Sequence, residues 1–318
     1  MESTTQTGSF WMPPQASTTA AEVDSLFDFI MDLNYIFFAI IFAMTVYFVV
    51  KYRKTDENPI ATSDFDHSTL WEGAWAFIPL MLCFVVFFWG FKVFLTYTVS
   101  PDNAMEINVT AQKWSWNFKY DDGQNTSDLY VPAGQPVKLI MKSKDVLHSF
   151  FVPDFRVKSD VLPGRYTTVW FEAIQPGVHR IYCTEYCGKD HSGMYRTVNV
   201  LSAADFAKKK SAGFEGRPEG QDPAVWGKEL YTKYGCNACH GLTEGEVKVG
   251  PTFYGIFGRK GETTAGESYV ANEEYIRESI MEPMAKIVKG YNPQMPSFKD
   301  QIGDDQMDAL IAFMKTLK

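Results

Sequence analysis

The chain has 318 residues, a formal net charge of -8 and 46% hydrophobic residues, enough for two compact domains and a membrane part. Its acidic balance argues against nucleic acid as a partner. Of its five cysteines, Cys183/Cys187 and Cys236/Cys239 form close pairs, which suit ligands or cofactor attachment better than a scattered disulfide framework.

Residues 1–24 contain no Lys or Arg, so the positive segment of a cleaved signal peptide is missing and a plain N-terminal tail is expected. Two apolar runs follow, Leu26–Val50 and Trp75–Tyr97. Each covers the roughly 20 residues that a spanning helix needs, and neither carries the polar stripe of a soluble helix. They predict a transmembrane hairpin over 25–98. Lys51, Arg53 and Lys54 stand just after the first span. That bias places the 51–72 loop in the cytoplasm and both termini outside. His67 reads as a bland loop histidine, and Cys83 as a small packing residue in the second span.

From Met105 to Leu201 the pattern changes to short β-like runs, among them Met105–Ala111, Trp114–Tyr120, Val137–Lys142, Thr167–Phe171 and Val178–Cys183. Turn signals such as Asp122-Gly123, Pro163-Gly164 and Pro176-Gly177 separate them. This predicts a β-sandwich or barrel over 99–201. Residues 202–221 read as a linker, with a short helix over Ser202–Lys210 and then a Gly-, Pro- and charge-rich mobile tether. Asp222-Pro223 is a helix-start signal, and 222–318 reads as helical with long loops.

The most informative stretch is Cys183-Thr-Glu185-Tyr-Cys187-Gly-Lys-Asp-His191-Ser-Gly-Met194. Thiolate and imidazole donors select copper, zinc or iron–sulfur over calcium or magnesium. The thioether of Met194 favours copper, because zinc sites use Cys and His. His148, at the end of an upstream strand, supplies a second imidazole. A disulfide between Cys183 and Cys187 is the bland alternative in an oxidising compartment.

The loop resembles the binuclear copper centre (CuA) of the cytochrome c oxidase subunit II family. The resemblance implies bridging by Cys183 and Cys187, with His148 and His191 capping one copper each. Met194 and the backbone carbonyl of Glu185 would be weak ligands. Ala111-Gln-Lys-Trp114-Ser-Trp116 and Val152–Arg165 are similar to segments of the same family. The resemblance gives Trp114 the role of receiving electrons, Glu72 a place at the mouth of a proton-uptake path, and the Glu185 carboxylate a magnesium ion. Core or interface packing is the plain reading of both Trp residues, and an interfacial position that of Glu72. His179 falls outside the motif and reads as an ordinary strand histidine.

Cys236-Asn-Ala-Cys239-His240 is the covalent haem c signature, with His240 as proximal ligand. Val249–Lys260 resembles the loop after this motif in class I cytochromes c. Asn292-Pro-Gln-Met295-Pro296 resembles their sixth-ligand loop, so Met295 is preferred to Met284, which lies in a helix-like run.

The expected fold is a multidomain membrane protein: a two-helix hairpin, a cupredoxin-like β-sandwich and an all-α cytochrome c domain over 222–318. The combination resembles caa(3)-type oxidases. It implies partnership with subunits I and III in the bacterial plasma membrane, and an upstream cytochrome c or quinol-oxidising complex as donor. The competing reading is a stand-alone membrane-tethered electron carrier. Nitrous oxide reductase, which uses the same copper centre, needs a large His-rich domain that five histidines cannot build. A quinol oxidase lacks these copper ligands. Residues 223–318 hold 11 Lys plus Arg against 13 Asp plus Glu, and 98–200 hold 11 of each. Strong long-range steering between the two domains is therefore not expected, and tethering can take its place.

Overall fold

The computed structural model describes residues 8–56, 59–60, 66–218, 220–299 and 301–318. It forms two compact units. One is residues 1–15 with 19–99, and the other is Ala16–Thr18 with 100–318. Part of the predicted 51–72 loop lies outside the described residues.

The first unit is a pair of helices, α1 (Ala20–Lys51) and α2 (Thr69–Thr98). Each contains a window of mean hydropathy 2.2 whose residues are almost wholly exposed within the chain. Apolar surface on every side of a helix calls for lipid or partner helices around it. Both helices outrun the apolar stretches that predict them. α1 begins six residues early because Ala-Ala-Glu-Val-Asp-Ser is a polar but helix-competent lead-in, and Glu22 pairs with Lys92 at 3.0 Å. In α2, Glu72 reaches back to the Ser68 N–H at 3.1 Å and caps the first turn.

The second unit begins with a β-sandwich. Its first sheet contains β1 (Met105–Gln112), β2 (Ser115–Lys119), β3 (Asn125–Thr126), β5 (Pro136–Ser143) and β8 (Thr167–Glu172), in the order β3-β2-β1-β5-β8. The second contains β4 (Leu129–Pro132), β6 (His148–Val152), β7 (Val157–Val161), β9 (Gly177–Cys183) and β10 (Arg196–Leu201), in the order β4-β10-β9-β6-β7. Alternation fixes the register: Ile107, Val109 and Ala111 of β1 all point inward. Trp116, Phe118, Phe150, Phe155 and Phe171 fill the space between the sheets.

Part of the predicted tail belongs to this domain. Ser17 bridges to Ala173, and the Ala16 N–H donates to the Asp154 carbonyl at 2.9 Å.

The linker also differs from a free tether. α3 spans Ala203–Ala212. After it, Phe214 stacks on Tyr130 at 5.1 Å and lies against Tyr120 at 4.5 Å. The Glu215 carboxylate accepts the backbone N–H groups of Ser127 and Asp128, each at 2.9 Å. Composition marks such a stretch as mobile, but one aromatic and one carboxylate anchor it.

The C-terminal part contains α4 (Pro223–Lys233), α5 (Glu273–Met281) and α6 (Asp304–Thr316). Asp222 caps α4 by accepting the Ala224 and Val225 N–H groups. Trp226, Leu230 and Tyr231 of α4 meet Met307, Leu310, Phe313 and Met314 of α6 in one core. A short hairpin, β11 (Lys260–Glu262) with β12 (Ser268–Val270), interrupts the helical reading. Strands of three residues are too short to leave an alternating pattern in the sequence.

Candidate functional site

β6 and β9 are antiparallel neighbours, with Phe150 directly opposite Cys183. His148, two residues before Phe150, therefore shares its face and looks toward Cys183. The loop after β9 turns back at Gly188 (φ +123°), where the backbone is in a region that favours glycine. A short 3-10 turn, His191–Gly193, then returns Met194 to the same place.

Six donors converge there. Cys183 Sγ lies 3.8 Å from Cys187 Sγ and 3.9 Å from His148 Nδ1. Cys187 Sγ lies 3.5 Å from His191 Nδ1 and 3.8 Å from Met194 Sδ. The Glu185 carbonyl is 3.3 Å from Cys183 Sγ. A disulfide needs sulfurs about 2.05 Å apart, so the pair is open here. Two sulfurs with one imidazole each, a thioether and a carbonyl make a soft donor set that suits copper.

The contact between the two sulfurs draws the Cys183 thiol down to about 3 and pushes that of Cys187 up. The pair gives up its first proton easily and its second with difficulty, whichever sulfur carries the charge.

Asp145 is the functional residue that sequence reading missed. Its carboxylate accepts from His148 Nε2 at 2.9 Å and from the Lys113 N–H at 2.7 Å. With Nε2 holding the proton, the Nδ1 lone pair of His148 faces the sulfurs, the usual role of a carboxylate behind a metal-ligating histidine. Burial works against the charged form of both groups. Their mutual hydrogen bond outweighs it, raising His148 and lowering Asp145. The only sequence signal is an acid three residues before a candidate ligand. Asp145→Ala is expected to weaken copper binding about 10- to 100-fold, read by chelator competition, with haem content unchanged.

The two tryptophans separate in role. Trp116 is core: it packs edge-on to Phe150 and His148, and its Nε1–H donates to the Met194 carbonyl. Trp114 lies against the copper loop. A methyl group on Gly188 would come within 3.3 Å of its ring, and the corresponding point on Gly235 lies 3.6 Å from its carbonyl. Gly235 immediately precedes Cys236, so Trp114 lies beside the copper loop through its ring and near the start of the haem motif through its backbone carbonyl.

In that motif, Cys236–Ala238 form a 3-10 turn and the His240 N–H donates to the Cys236 carbonyl at 2.9 Å. His240 is buried, stacks on Phe253 at 4.4 Å and donates through Nδ1 to the Pro251 carbonyl at 2.7 Å. Nε2 is thereby left as the free donor atom. Burial lowers the basicity of His240 and keeps the imidazole neutral, as an iron ligand must be. Gly250 is required here, because a Cβ would stand 2.7 Å from the imidazole.

Met295 is partly buried against the helical core, as is Cys236. Its loop is held by Ser297, whose hydroxyl donates to the Met281 carbonyl at 2.6 Å. Met284 is 51% exposed and faces away. A cleft of 590 Å³ opens between Gly245–Thr252 and Gly290–Gln294. The chemistry of the donor set, two thiols and a neutral imidazole on one turn with a thioether on a later loop, fits a haem.

Glu72 pairs with His67 Nδ1 at 2.8 Å in the first unit, so His67 is a partner rather than a bystander. His179 pairs with Asp154 at 2.7 Å and takes no part in the copper cluster.

Comparison with known proteins agrees with this chemistry. The family model for the transmembrane domain of cytochrome c oxidase subunit II matches residues 5–93, and that for its periplasmic domain matches 124–201. A cytochrome c model matches 224–318. Cytochrome c oxidase subunit 2 of Alkalihalophilus pseudofirmus is 29% identical over 292 residues, 88% of this chain and 82% of that one. The subunit 2 of Synechocystis is 26% identical over 231 residues, covering 58% and 70%. Among solved structures, the periplasmic domain of subunit II of the Bradyrhizobium japonicum cytochrome oxidase is 27% identical. It covers 36% of this chain and 97% of that one, at a TM-score of 0.35.

Proposed function

We infer a two-cofactor electron relay from one premise: this chain belongs to the cytochrome c oxidase subunit II family and carries a cytochrome c domain behind its copper domain. It is a membrane protein with an extracytoplasmic domain and the electron-transfer subunit of a haem–copper oxidase, whose oxygen-reducing site lies in subunit I. When bound, haem c and the copper pair supply one-electron redox chemistry, linking an upstream donor to subunit I, where oxygen becomes water and protons are pumped.

Cys183, Cys187, His148, His191, Met194 and the Glu185 carbonyl would hold the copper pair. Asp145 orients His148. Cys236 and Cys239 would attach the haem, and His240 and Met295 would be its iron ligands. A thioether ligand favours a higher potential than a second histidine would. Trp114 serves as the aromatic surface next to the copper loop. Glu72 takes up protons from the cytoplasmic side, with His67 holding its carboxylate in place. The Glu185 carboxylate offers one oxygen to a magnesium ion, whose remaining ligands must come from subunit I or water.

Subunit III and a donor, either cytochrome c or a quinol-oxidising complex, complete the assembly. The bacterial plasma membrane holds it, with both termini and both cofactor domains outside.

The observation that carries this reading is the convergence of two thiols, two imidazoles, a thioether and a carbonyl on one loop and one strand. The test is metal and haem content of the full chain, with optical and EPR spectra. Two coppers in a mixed-valence state with one covalent haem c are expected. A single copper with a blue-type spectrum, or none, would sink the binuclear assignment.

A further inference from the structure

Between the copper sandwich and the haem domain lies a cluster of charges that neither cofactor needs. Lys233, the last residue of α4, stands three residues before Cys236. Its ammonium lies 2.9 Å from Asp128 and 2.9 Å from Glu215. Asp128 belongs to the sandwich, where its other oxygen accepts the Thr197 N–H at 3.0 Å and the Thr197 hydroxyl at 2.9 Å. Glu215 belongs to the linker, is 5% exposed, and is pinned to the sandwich by Ser127 and Asp128.

Arg196 stands two residues after Met194. Its buried guanidinium donates to the carbonyls of Tyr195 and Lys233. Near by, Gln112 donates to Gln301 across the same boundary. Burial works against the Lys233 ammonium, and the two carboxylates outweigh it, holding the lysine above its ordinary value.

We propose that Asp128, Glu215 and Arg196 clamp Lys233, so that the haem motif and the copper loop are held as one fixed relay instead of two domains on a mobile tether. The clamp sits at the right places in the chain for this. Arg196 joins the copper loop to the residue leading into the haem motif, through covalent stretches of two and three residues. The Trp114 ring lies against Gly188 of the copper loop, and its backbone carbonyl lies near Gly235. A partly buried cation between two carboxylates is also directional: it is costly to leave half-made, and so favours one docking geometry.

The electron-transfer part of this proposal rests on the relay reading; the docking part does not. The experiment compares the full chain in detergent with Lys233→Met, which leaves the carboxylates of Asp128 and Glu215 without their cation. Limited proteolysis within 213–221 reads docking. Flash-induced electron transfer from haem to copper reads positioning.

We expect linker cleavage to become at least tenfold faster and electron transfer at least tenfold slower, with haem and copper contents unchanged. Lys233→Arg should restore both rates, which a general loss of stability would not explain. Should Lys233→Met not fold, Glu215→Gln provides the same comparison. Unchanged cleavage would overturn the clamp. Faster cleavage with unaltered electron transfer would overturn its positioning role. Wild-type chain lacking copper would instead sink the relay reading, with the cleavage result still deciding the clamp.

Discussion

Replacing Cys187 with serine is expected to abolish the copper pair instead of merely loosening it. Cys187 Sγ is central to the cluster, within 3.8 Å of Cys183 Sγ and Met194 Sδ and 3.5 Å of His191 Nδ1. A serine hydroxyl in its place is hard, weakly acidic and unable to bridge two soft metal ions. What remains is one thiolate with two imidazoles and a thioether, the donor set of a single-copper site. Copper should therefore fall from two per chain to at most one, and the mixed-valence EPR signal should vanish. Donor oxidation by the assembled oxidase should drop at least about 100-fold, or roughly 2.7 kcal/mol at 1.36 kcal/mol per tenfold. Haem absorbance should be unaffected, since Cys236, Cys239 and His240 lie outside the cluster. A variant that keeps two coppers would show that Cys187 does not bridge.

Most of the copper loop was legible in the sequence, for a physical reason. A metal site built on one loop must place soft donors close together in the chain, and Cys183, Cys187, His191 and Met194 fall within twelve residues. The haem motif is legible for the same reason, since both thiols and the imidazole come from one turn. Met295 needed the resemblance, because a distal ligand can approach from anywhere along the chain. Asp145 was not legible, because it acts through His148, and a carboxylate in a strand-end turn looks like any other turn acid. The linker was misread for a related reason. Composition records that Gly, Pro and charge are common after Ser211, but not that Glu215 meets two backbone N–H groups and a lysine. The roles of Trp114 and Trp116 separate only in three dimensions. Trp116 faces Phe150 inside the sandwich, and the Trp114 ring lies against Gly188 of the copper loop.

The last expectation concerns Gly227, where a single methyl group should unsettle the haem domain. α4 and α6 cross with Gly227 set directly against the backbone of Ala309. A Cβ at 227 would fall on the Ala309 carbonyl and lie 2.8 Å from Phe313 Cβ. Backbone cannot rotate aside as a long side chain can, so the helices must separate. Leu230, Tyr231, Met307 and Phe313 line the same contact, and all would lose packing together. Overpacking of this kind costs about 3 kcal/mol, and alanine recovers about 1 kcal/mol in helix propensity. Gly227→Ala should thus destabilise the domain by about 2 kcal/mol, read by denaturant unfolding followed through the haem. Because α4 ends at Lys233 and leads straight into Cys236, a shifted α4 should also slow haem-to-copper transfer while leaving copper in place. Unchanged or increased stability would mean that the two helices do not approach as closely as the backbone of Ala309 implies.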